Sequence, residues 1–283
     1  MRLIVVKDFE GVTDAVKTEE TIWENLEKDH ELISDEYVFV KIPLAFTINS
    51  HGLPAAQHFI NSVNSQYPNE KLVFICQHIQ VKLLSFPAAS LVFTPHATTS
   101  DDFFPLPHYS PLPPPPLKTT DSRPVKLSFQ GSFSTHVSRR TIYSLWGKDP
   151  EFFIQDTGLW HFEQDPQAQI ESKESYINLL KDSSFSLCPR GTGPSTIRIW
   201  EALSYGSIPI IISDGLKLPL PELVEWENCA LFISESNLHA IKDSIPQDPD
   251  TLKKMQDYGR SIYSRYFNNC NLHQSITIPT QLS

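Results

Sequence analysis

Apolar runs alternate with amphipathic stretches along the whole chain, and this alternation predicts strands and helices in turn. In the first half, four short apolar runs are typical of buried strands, at residues 3–6, 37–42, 72–76 and 91–94. Helical spacing of apolar residues lies between them, at residues 19–26 and 54–63. The pattern restarts with strands at 125–129 and 152–154 and helices at 141–146 and 176–181. The alternation favours an α/β fold with two Rossmann-like halves, each built on a parallel sheet.

The segment 183–214, SSFSLCPRGTGPSTIRIWEALSYGSIPIIISD, carries the most information. A short apolar run around Phe185 predicts a strand, and a turn rich in proline and glycine ends it. Ser195 is expected to be the N-cap of an amphipathic helix that Gly206 terminates. A β-branched run at 208–212 predicts a second buried strand. In such a β-loop-α-β unit the loop and the helix N-terminus lie at the carboxyl edge of the sheet, where they favour an anion.

Charged residues in this segment support the anion interpretation. Arg190 lies in the loop, and Arg198 and Glu201 are three residues apart, so they share one face of the helix. Guanidinium groups can neutralise a diphosphate, and a carboxylate can accept hydrogen bonds from ribose hydroxyls. The segment therefore predicts a nucleoside diphosphate site, with an ordinary Arg–Glu surface pair as the alternative.

Composition restricts the partners and the domain organisation. The net charge of −10 argues against nucleic acid and against an acidic membrane surface. Eight prolines between residues 105 and 124 predict a semi-rigid connector, with a polyproline ligand as the alternative. We therefore expect four regions, namely an N-terminal domain at 1–110, a proline-rich linker at 111–124, a second domain at 125–262, and a tail at 263–283.

The same segment resembles the C-terminal signature of the exostosin family of glycosyltransferases. The shared features, in order, are Pro189-Arg190-Gly191, Ser195, Arg198, Glu201-Ala202, Gly206, Ile208-Pro209, Asp214, Leu218-Pro219 and Trp226. A second similarity is Phe129-Gln130-Gly131 with Arg139 and Arg140 downstream. The resemblance implies the GT-B architecture, in which two Rossmann-like domains face each other across a cleft, and a UDP-sugar donor. It also implies that 1–110 is the acceptor-side domain, that 125–262 is the nucleotide-sugar-binding domain, and that the tail at 263–283 packs back on the first domain.

We expect the second half to hold the nucleotide. Glu201 is expected to bind the ribose, and Arg190 and Arg198 to face the phosphates. The remaining nucleotide-binding candidates are Gly191, Ser195, Gln130, Gly131, Ser132 and Arg139. No metal and no other cofactor is expected. The single Asp-x-Asp pair, Asp248 and Asp250, is better explained by Asp248 as the N-cap of a following helix.

A base for the acceptor hydroxyl is expected from the first half. The candidates are His51, His78, Asp101 and Asp102, of which one is expected to act, because they follow predicted strands where loops line a cleft. His78 is positioned like the His of a Thr-His-Asp element in plant exostosins, although Gln77 and Ile79 flank it here. Structural roles for a lone His and solvated loop carboxylates are the alternatives.

The combined expectation is an inverting, metal-independent transfer from a UDP-sugar, UDP-xylose or UDP-galactose in particular, to a hydroxyl of a glycan. A UDP-sugar epimerase and an inactive nucleotide- or glycan-binding module are the alternatives. Familiar exostosins resemble type II membrane proteins of the Golgi. This sequence contains neither a signal peptide nor an apolar stretch of about eighteen residues, so a cytoplasmic location without a membrane span is expected.

Overall fold

The computed structural model describes residues 2–5, 17–29, 36–113, 122–157 and 166–276. These residues form two compact units. Unit 1 comprises Met1–Tyr109, Gly215–Leu220 and Tyr266–Ser283, and unit 2 comprises Ser110–Asp214 and Pro221–Arg265. Each unit is built on its own five-stranded parallel sheet, so the prediction of an α/β fold with two Rossmann-like units is confirmed.

Unit 1 has its strands in sequence order. They are β1 (Arg2–Val5), β2 (Tyr37–Lys41), β3 (Lys71–Ile75), β4 (Leu91–Thr94) and β5 (Phe104–Pro105). Helix α1 (Lys17–Lys28) buries Ile22, Trp23 and Leu26 against one face of the sheet. Helix α2 (Leu44–Gln66) packs Ile60 and Val63 on the other face, and it is kinked at Gly52, whose φ is 82°. The predicted helix at 54–63 is the part that follows this kink.

Unit 2 has the strand order β10-β9-β8-β6-β7. Its strands are β6 (Val125–Gln130), β7 (Phe152–Gln155), β8 (Ser183–Pro189), β9 (Ile208–Ile212) and β10 (Leu231–Phe232). Its helices are α3 (Val137–Trp146), α4 (Pro166–Asp182), α5 (Arg198–Tyr205), α6 (Ile241–Ser244) and α7 (Pro249–Ile262). Strand β8 is buried almost throughout, and β9 throughout, as the continuous apolar runs predict. The strands β5 and β10 were not predicted, because two residues are too few to show the alternation of apolar and polar positions that indicates a strand.

The chain crosses between the units more often than the sequence predicts. Residues Gly215–Leu220 lie inside the predicted second domain but belong to unit 1. Backbone hydrogen bonds explain this, since the Thr99 amide donates to the Gly215 carbonyl and the Lys217 amide donates to the Ala97 carbonyl. The Nζ of Lys217 also donates to the carbonyls of Asp101 and Phe103. Unit 2 therefore does not include this loop, which lies within the predicted range 125–262.

The C-terminal segment from Tyr266 belongs to unit 1. Leu272 is buried in the core beneath α1, and His273 places Nε2 3.2 Å from Oδ2 of Asp29. Residues 114–121 of the predicted linker and 277–283 of the predicted tail lie outside the described residues. Over the ranges that the structure describes, every helix is too short or too polar to cross a membrane.

Candidate functional site

The strand order of unit 2 creates a switch point between β6 and β8. The chain leaves β6 toward β7 on one side and leaves β8 toward β9 on the other, although β6 and β8 are adjacent. In open parallel sheets, ligands bind outside the carboxyl ends of the strands at such a point. The loop after β6 begins at Gly131 and the loop after β8 begins at Arg190, so the two predicted motifs meet at this edge.

Arg198 is anchored at this edge by three groups. Its Nη2 donates to the carbonyl of Gln130, its Nε donates to the hydroxyl of Tyr176 at 3.2 Å, and its Cζ lies 4.5 Å from the centre of the Phe129 ring. A Cβ placed on Gly131 would lie 2.8 Å from Nη2. The absence of a side chain at 131 therefore makes room for the guanidinium at the end of β6.

Arg139 joins the two loops. This buried side chain donates from Nη1 to the Ser132 carbonyl at 3.0 Å, from Nη2 to the Pro189 carbonyl at 3.1 Å and from Nε to the Arg190 carbonyl at 2.9 Å. Burial and the nearby Arg198 charge lower the pKa of Arg139 to about 10, which keeps it a cation at neutral pH. In the structure Arg139 thus donates to loop carbonyls, whereas the sequence analysis named it as a candidate for nucleotide binding.

Three buried polar atoms near this edge have no hydrogen-bond partner among the described residues. They are Nε of Arg190, Oε1 of Gln130 and Oγ1 of Thr135. A Cβ placed on Gly191 would lie 3.6 Å from the Thr135 hydroxyl, so the two loops approach each other closely. Buried polar groups are nearly always paired, and leaving one unpaired costs about 1–3 kcal/mol. A polar ligand or ordered water at this edge would satisfy them.

The charge on Arg190 is balanced by an acidic residue that the sequence did not single out. Nη1 of Arg190 lies 3.7 Å from Oε1 of Glu235, and Nε2 of His136 lies 3.8 Å from Oε2. The Glu235 carboxylate also accepts the Asp214 amide at 3.0 Å, and Asp214 accepts the Glu235 amide at 3.1 Å. Glu235 follows β10, and that strand is too short to predict.

His136 is the N-cap of α3. Its side chain accepts from the Ser138 amide at 3.3 Å, and burial together with the Arg190 charge lowers its pKa. A neutral imidazole at this position leaves the positive end of the helix facing the loop. The sequence analysis did not identify this cap, because histidine is not among the usual capping residues.

The predicted cap of α5 is wrong. Ser195 is buried in the loop, and α5 begins at Arg198 after Ile197, which provides no side-chain cap. Ser213 Oγ donates to the Pro194 carbonyl at 2.6 Å and so fastens the loop to the end of β9. At the start of the helix, the Ile199 amide donates to the Thr196 carbonyl, and the Trp200 and Glu201 amides donate to the Ile197 carbonyl. Ser132 and Ser134 share a hydrogen bond of 2.8 Å on the opposite loop.

Glu201 does not point into solvent. Its side chain is buried, and Oε2 accepts the Tyr176 hydroxyl at 2.7 Å. Burial raises the pKa of Glu201, which the Tyr176 hydrogen bond and the Arg198 charge oppose. Tyr176 comes from α4 and was not predicted as a site residue. The contact between Tyr176 and Glu201 depends on how α4 packs against α5, and no local sequence motif indicates that packing.

The four base candidates all lie in unit 1, at different exposures. Asp101 accepts from the Thr98 amide and hydroxyl, from the Phe103 amide and from Lys82. Burial alone would raise its pKa, but these hydrogen bonds lower it overall, so Asp101 is a weak base held in a loop. Asp102 and His51 are exposed, and His51 sits just before the kink of α2.

His78 follows β3 and is half-buried. Its Nδ1 accepts the Gln80 amide at 3.1 Å, which assigns the ring proton of the neutral form to Nε2, 3.1 Å from Oδ1 of Asn49. Burial lowers the pKa of His78 and keeps the ring neutral at pH 7. Both ring nitrogens therefore have protein partners in this conformation.

Two further predictions concern metals and the Asp-x-Asp pair. The prediction of Asp248 as an N-cap is confirmed, because its carboxylate accepts the Thr251 amide at 2.9 Å and starts α7. Within the described residues, no group of three or more His, Cys, Asp or Glu side chains is arranged to hold a metal ion.

The described part of the chain thus contains two α/β units, each built on a parallel sheet, and the second carries guanidinium groups at its switch point. Residues 55–248, more than half of the chain, match the family model described as the Exostosin GT47 domain. The chain therefore belongs to the exostosin GT47 family.

Curated relatives match a limited part of their length. A "Probable glucuronosyltransferase" of Oryza sativa subsp. japonica is 34% identical over 120 residues, which is 39% of this chain and 27% of that protein. The "Exostosin-1 homolog" of Caenorhabditis elegans is 29% identical over 39% of this chain and 30% of its own. The "Probable beta-1,4-xylosyltransferase IRX10L" of Arabidopsis thaliana is 29% identical over 47% of this chain and 32% of its own. The chain thus spans about a third or less of these relatives.

One of the solved structures that the chain matches is that of HepE from Anabaena in complex with UDP and glucose. It is 13% identical, with a TM-score of 0.44, and the match covers 90% of this chain and 79% of that chain.

Proposed function

We propose that unit 2 binds the diphosphate of a UDP-sugar at the carboxyl edge of β6 and β8, and that the protein transfers the sugar to a hydroxyl of a glycan. The observation that carries this proposal is that Arg190, Arg198 and the unpartnered Gln130 and Thr135 oxygens belong to the segments that follow β6 and β8 at the switch point. Guanidinium groups match phosphate geometry, and polar acceptors match ribose and sugar hydroxyls. Membership of the exostosin GT47 family supports the reaction class.

The proposed chemistry is an inverting displacement without metal. Arg190 and Arg198 stabilise the charge that develops on the departing diphosphate, which is the role a divalent cation has in other transferases. A base in unit 1 removes the acceptor proton. Among the four candidates, Asp102 and His51 are exposed, whereas Asp101 and His78 are engaged by loop partners.

We propose a neutral donor, UDP-xylose in preference to UDP-galactose. A uronic acid as the transferred sugar would need a cation to pair with its carboxylate. The Arg139 guanidinium donates hydrogen bonds to loop carbonyls, and Nε of Arg198 donates to the Tyr176 hydroxyl. Arg190 is then required by the phosphates. The name of the Arabidopsis relative, a xylosyltransferase, supports this choice, whereas that of the rice relative favours glucuronic acid.

The test combines binding and turnover. Thermal shift is measured with UDP-xylose, UDP-galactose, UDP-glucuronic acid and GDP-mannose, because a ligand of the folded state raises the melting temperature. UDP release is then followed with and without xylan or galactan oligosaccharides, with EDTA present throughout. Acceptor-dependent UDP release in EDTA supports the proposal. Sugar isomerisation without an acceptor would indicate an epimerase, binding without turnover an inactive module, and no UDP-dependent shift would overturn the site.

A further inference from the structure

Two hydrogen-bond donors at the carboxyl edge of unit 2 flank one carboxylate without bonding to it. Nη1 of Arg190 lies 3.7 Å from Oε1 of Glu235, and Nε2 of His136 lies 3.8 Å from Oε2. Both distances exceed the roughly 2.7–3.2 Å of a hydrogen bond between nitrogen and oxygen. The Glu235 carboxylate is held elsewhere, because its Oε1 accepts the Asp214 amide at 3.0 Å. It attracts the two donors electrostatically and leaves their protons available to another acceptor.

The proton of the His136 imidazole is confined to Nε2. Nδ1 accepts the Ser138 amide at 3.3 Å as the N-cap of α3, and a ring nitrogen that accepts a hydrogen bond carries no proton. Protonation of Nδ1 would break this cap. Burial and then the Arg190 charge lower the pKa of His136, and the Glu235 charge only partly opposes them. The ring is therefore neutral at pH 7, with an acceptor at Nδ1 and a donor at Nε2.

The cap itself does not require a histidine. Serine, aspartate and asparagine accept the same kind of amide with a shorter side chain. The imidazole differs from them because its second nitrogen extends past the cap to the carboxylate that also faces Arg190. The same edge contains buried polar atoms without a hydrogen-bond partner among the described residues, Nε of Arg190 and Oγ1 of Thr135, the residue before His136. His136 thus adds a donor where a polar ligand is expected.

We propose that His136 binds the diphosphate of the nucleotide by donating a hydrogen bond from Nε2, while Nδ1 continues to cap α3. This inference rests on the proposed function and adds a ligand that the sequence analysis did not name. The Arg190 charge and the Nε2–H dipole lie on the two sides of Glu235, so together they offset its repulsion of a phosphate. During sugar transfer the neutral imidazole stabilises the charge on the departing diphosphate, and no proton leaves the ring.

Two substitutions separate the donor from the cap. Asparagine is a good cap but is too short to place a donor at the position of Nε2, so His136→Asn should keep the urea midpoint and weaken UDP about tenfold. The amide nitrogen of glutamine reaches the position of Nε2, but glutamine is not among the preferred caps. His136→Gln should therefore lower the urea midpoint and bind UDP within about threefold of wild type. Calorimetric titration and urea unfolding provide the two measurements.

The ranking of the two variants decides between a ligand and a cap. If UDP affinity follows the urea midpoint, so that His136→Asn binds like wild type and His136→Gln binds weakly, His136 is a cap only and the inference is wrong. Uridine lacks the phosphates, so a tenfold loss for uridine in His136→Asn would also overturn it. His239→Asn is the matched control: His239 is exposed beside Leu238, whose carbonyl accepts Trp146 Nε1 at 3.1 Å at the other end of α3, and both measurements should be unchanged.

The ¹⁵N NMR signals of the imidazole separate this inference from the proposed function. In the ligand-free protein at pH 7, the signals of His136, assigned by their loss in His136→Asn, should show a protonated Nε2 and an unprotonated Nδ1. Saturation with UDP should shift Nε2 and leave Nδ1 unprotonated, also if both variants lose affinity equally. If UDP binds and Nε2 does not shift, or Nδ1 gains a proton, this inference is wrong and the proposed site stands. If UDP does not bind at all, the proposed function is refuted and this inference with it.

Discussion

Gly131 and Arg198 compete for one volume at the end of β6. A Cβ on residue 131 would lie 2.8 Å from Nη2 of Arg198, closer than non-bonded atoms approach. The backbone of Gly131 is held in place, because its amide donates to the Gln155 carbonyl at 3.1 Å. Any side chain at 131 must therefore displace the guanidinium and not the strand end.

Gly131→Ala should weaken nucleotide binding with a small effect on stability. The methyl group pushes Nη2 away from the Gln130 carbonyl, and a flexible arginine side chain can move without unfolding the sheet. We expect UDP affinity to fall by about five- to tenfold, which corresponds to the loss of one charge-assisted hydrogen bond. Calorimetric titration with UDP and urea unfolding of the same preparation provide the two measurements.

Combining Gly131→Ala with Arg198→Ala shows whether the loss of UDP affinity depends on the Arg198 guanidinium. In Arg198→Ala, the volume beside residue 131 is free, so the added Gly131→Ala should change UDP affinity no further. Equal losses in both backgrounds would mean that Gly131 acts through the phosphate-binding backbone and not through the guanidinium.

Arg139→Lys should destabilise unit 2 and weaken UDP binding together. A lysine cannot reach the carbonyls of Ser132, Pro189 and Arg190 at once, which leaves buried acceptors unpaired and frees the two loops. We expect a loss of about 2–3 kcal/mol in the free energy of unfolding. Chemical denaturation and UDP titration measure the two effects.

The adjacent Arg140 provides a matched control for Arg139. It is exposed and makes one long contact, 3.5 Å to the Phe133 carbonyl, so Arg140→Lys should change neither stability nor affinity. If Arg139→Lys weakened UDP binding but left the unfolding transition unchanged, Arg139 would bind the nucleotide directly, in line with its place among the nucleotide-binding candidates.

The local parts of the site were predictable from the sequence. The β-loop-α-β unit is a continuous segment, so the spacing of its residues is enough to place its strands, its glycine-rich turn and its two arginines at one sheet edge. Gly206 ends α5 with a φ of 72°, as a C-terminal glycine should. The Asp248 cap was predictable for the same reason, because a cap depends on a few consecutive residues.

Interactions between distant segments were not predictable. Tyr176 is 22 residues from Arg198, and helix α4 is polar enough that its one buried phenol resembles an ordinary packing residue. Ser195 is a residue type that favours the N-cap, yet Ser213 bonds to the carbonyl of the preceding Pro194, and the helix begins only at Arg198. Glu19 looks like an exposed helix charge, because no pattern shows that the loops after β2 and β3 close over it.

Asp101→Asn should lower stability and spare turnover. The carboxylate accepts from the Thr98 amide and hydroxyl, the Phe103 amide and Lys82, and its lowered pKa means that the ionised form stabilises the fold. That contribution is present above the ordinary pKa of 3.8 and is lost as pH falls through the lower folded value. The urea midpoint at pH 7 should therefore drop, and the difference from wild type should shrink under strongly acid conditions.

Asp102→Asn is the control for Asp101, because its exposed side chain adjoins the same loop. Its urea midpoint should equal that of wild type. UDP release in the presence of the acceptor distinguishes the catalytic alternative. A loss of several hundredfold in turnover for either variant, with UDP affinity retained, would identify that aspartate as the base.

Glu19 should make the stability of unit 1 fall as pH rises. Its fully buried carboxyl accepts the Gln77 amide at 2.8 Å and the Ala45 amide at 3.2 Å, and burial raises its pKa from 4.5 to about 8 despite these bonds. The folded state thus retains a proton that the unfolded chain releases between these values. The stabilisation is complete below pH 4.5 and is lost as pH rises through about 8, by an amount on the order of a few kcal/mol.

Glu19→Gln removes the titration and keeps an oxygen that accepts the two amides. Its urea midpoint, followed by tryptophan fluorescence, to which Trp23 on the same helix contributes, should vary less between pH 5 and pH 8.5 than that of wild type. Glu20→Gln, which alters an exposed pair with Lys17, should reproduce the wild-type profile. If Glu19→Gln and wild type lose stability in parallel over this range, the Glu19 carboxyl is ionised at neutral pH, and the amides of Ala45 and Gln77 outweigh its desolvation.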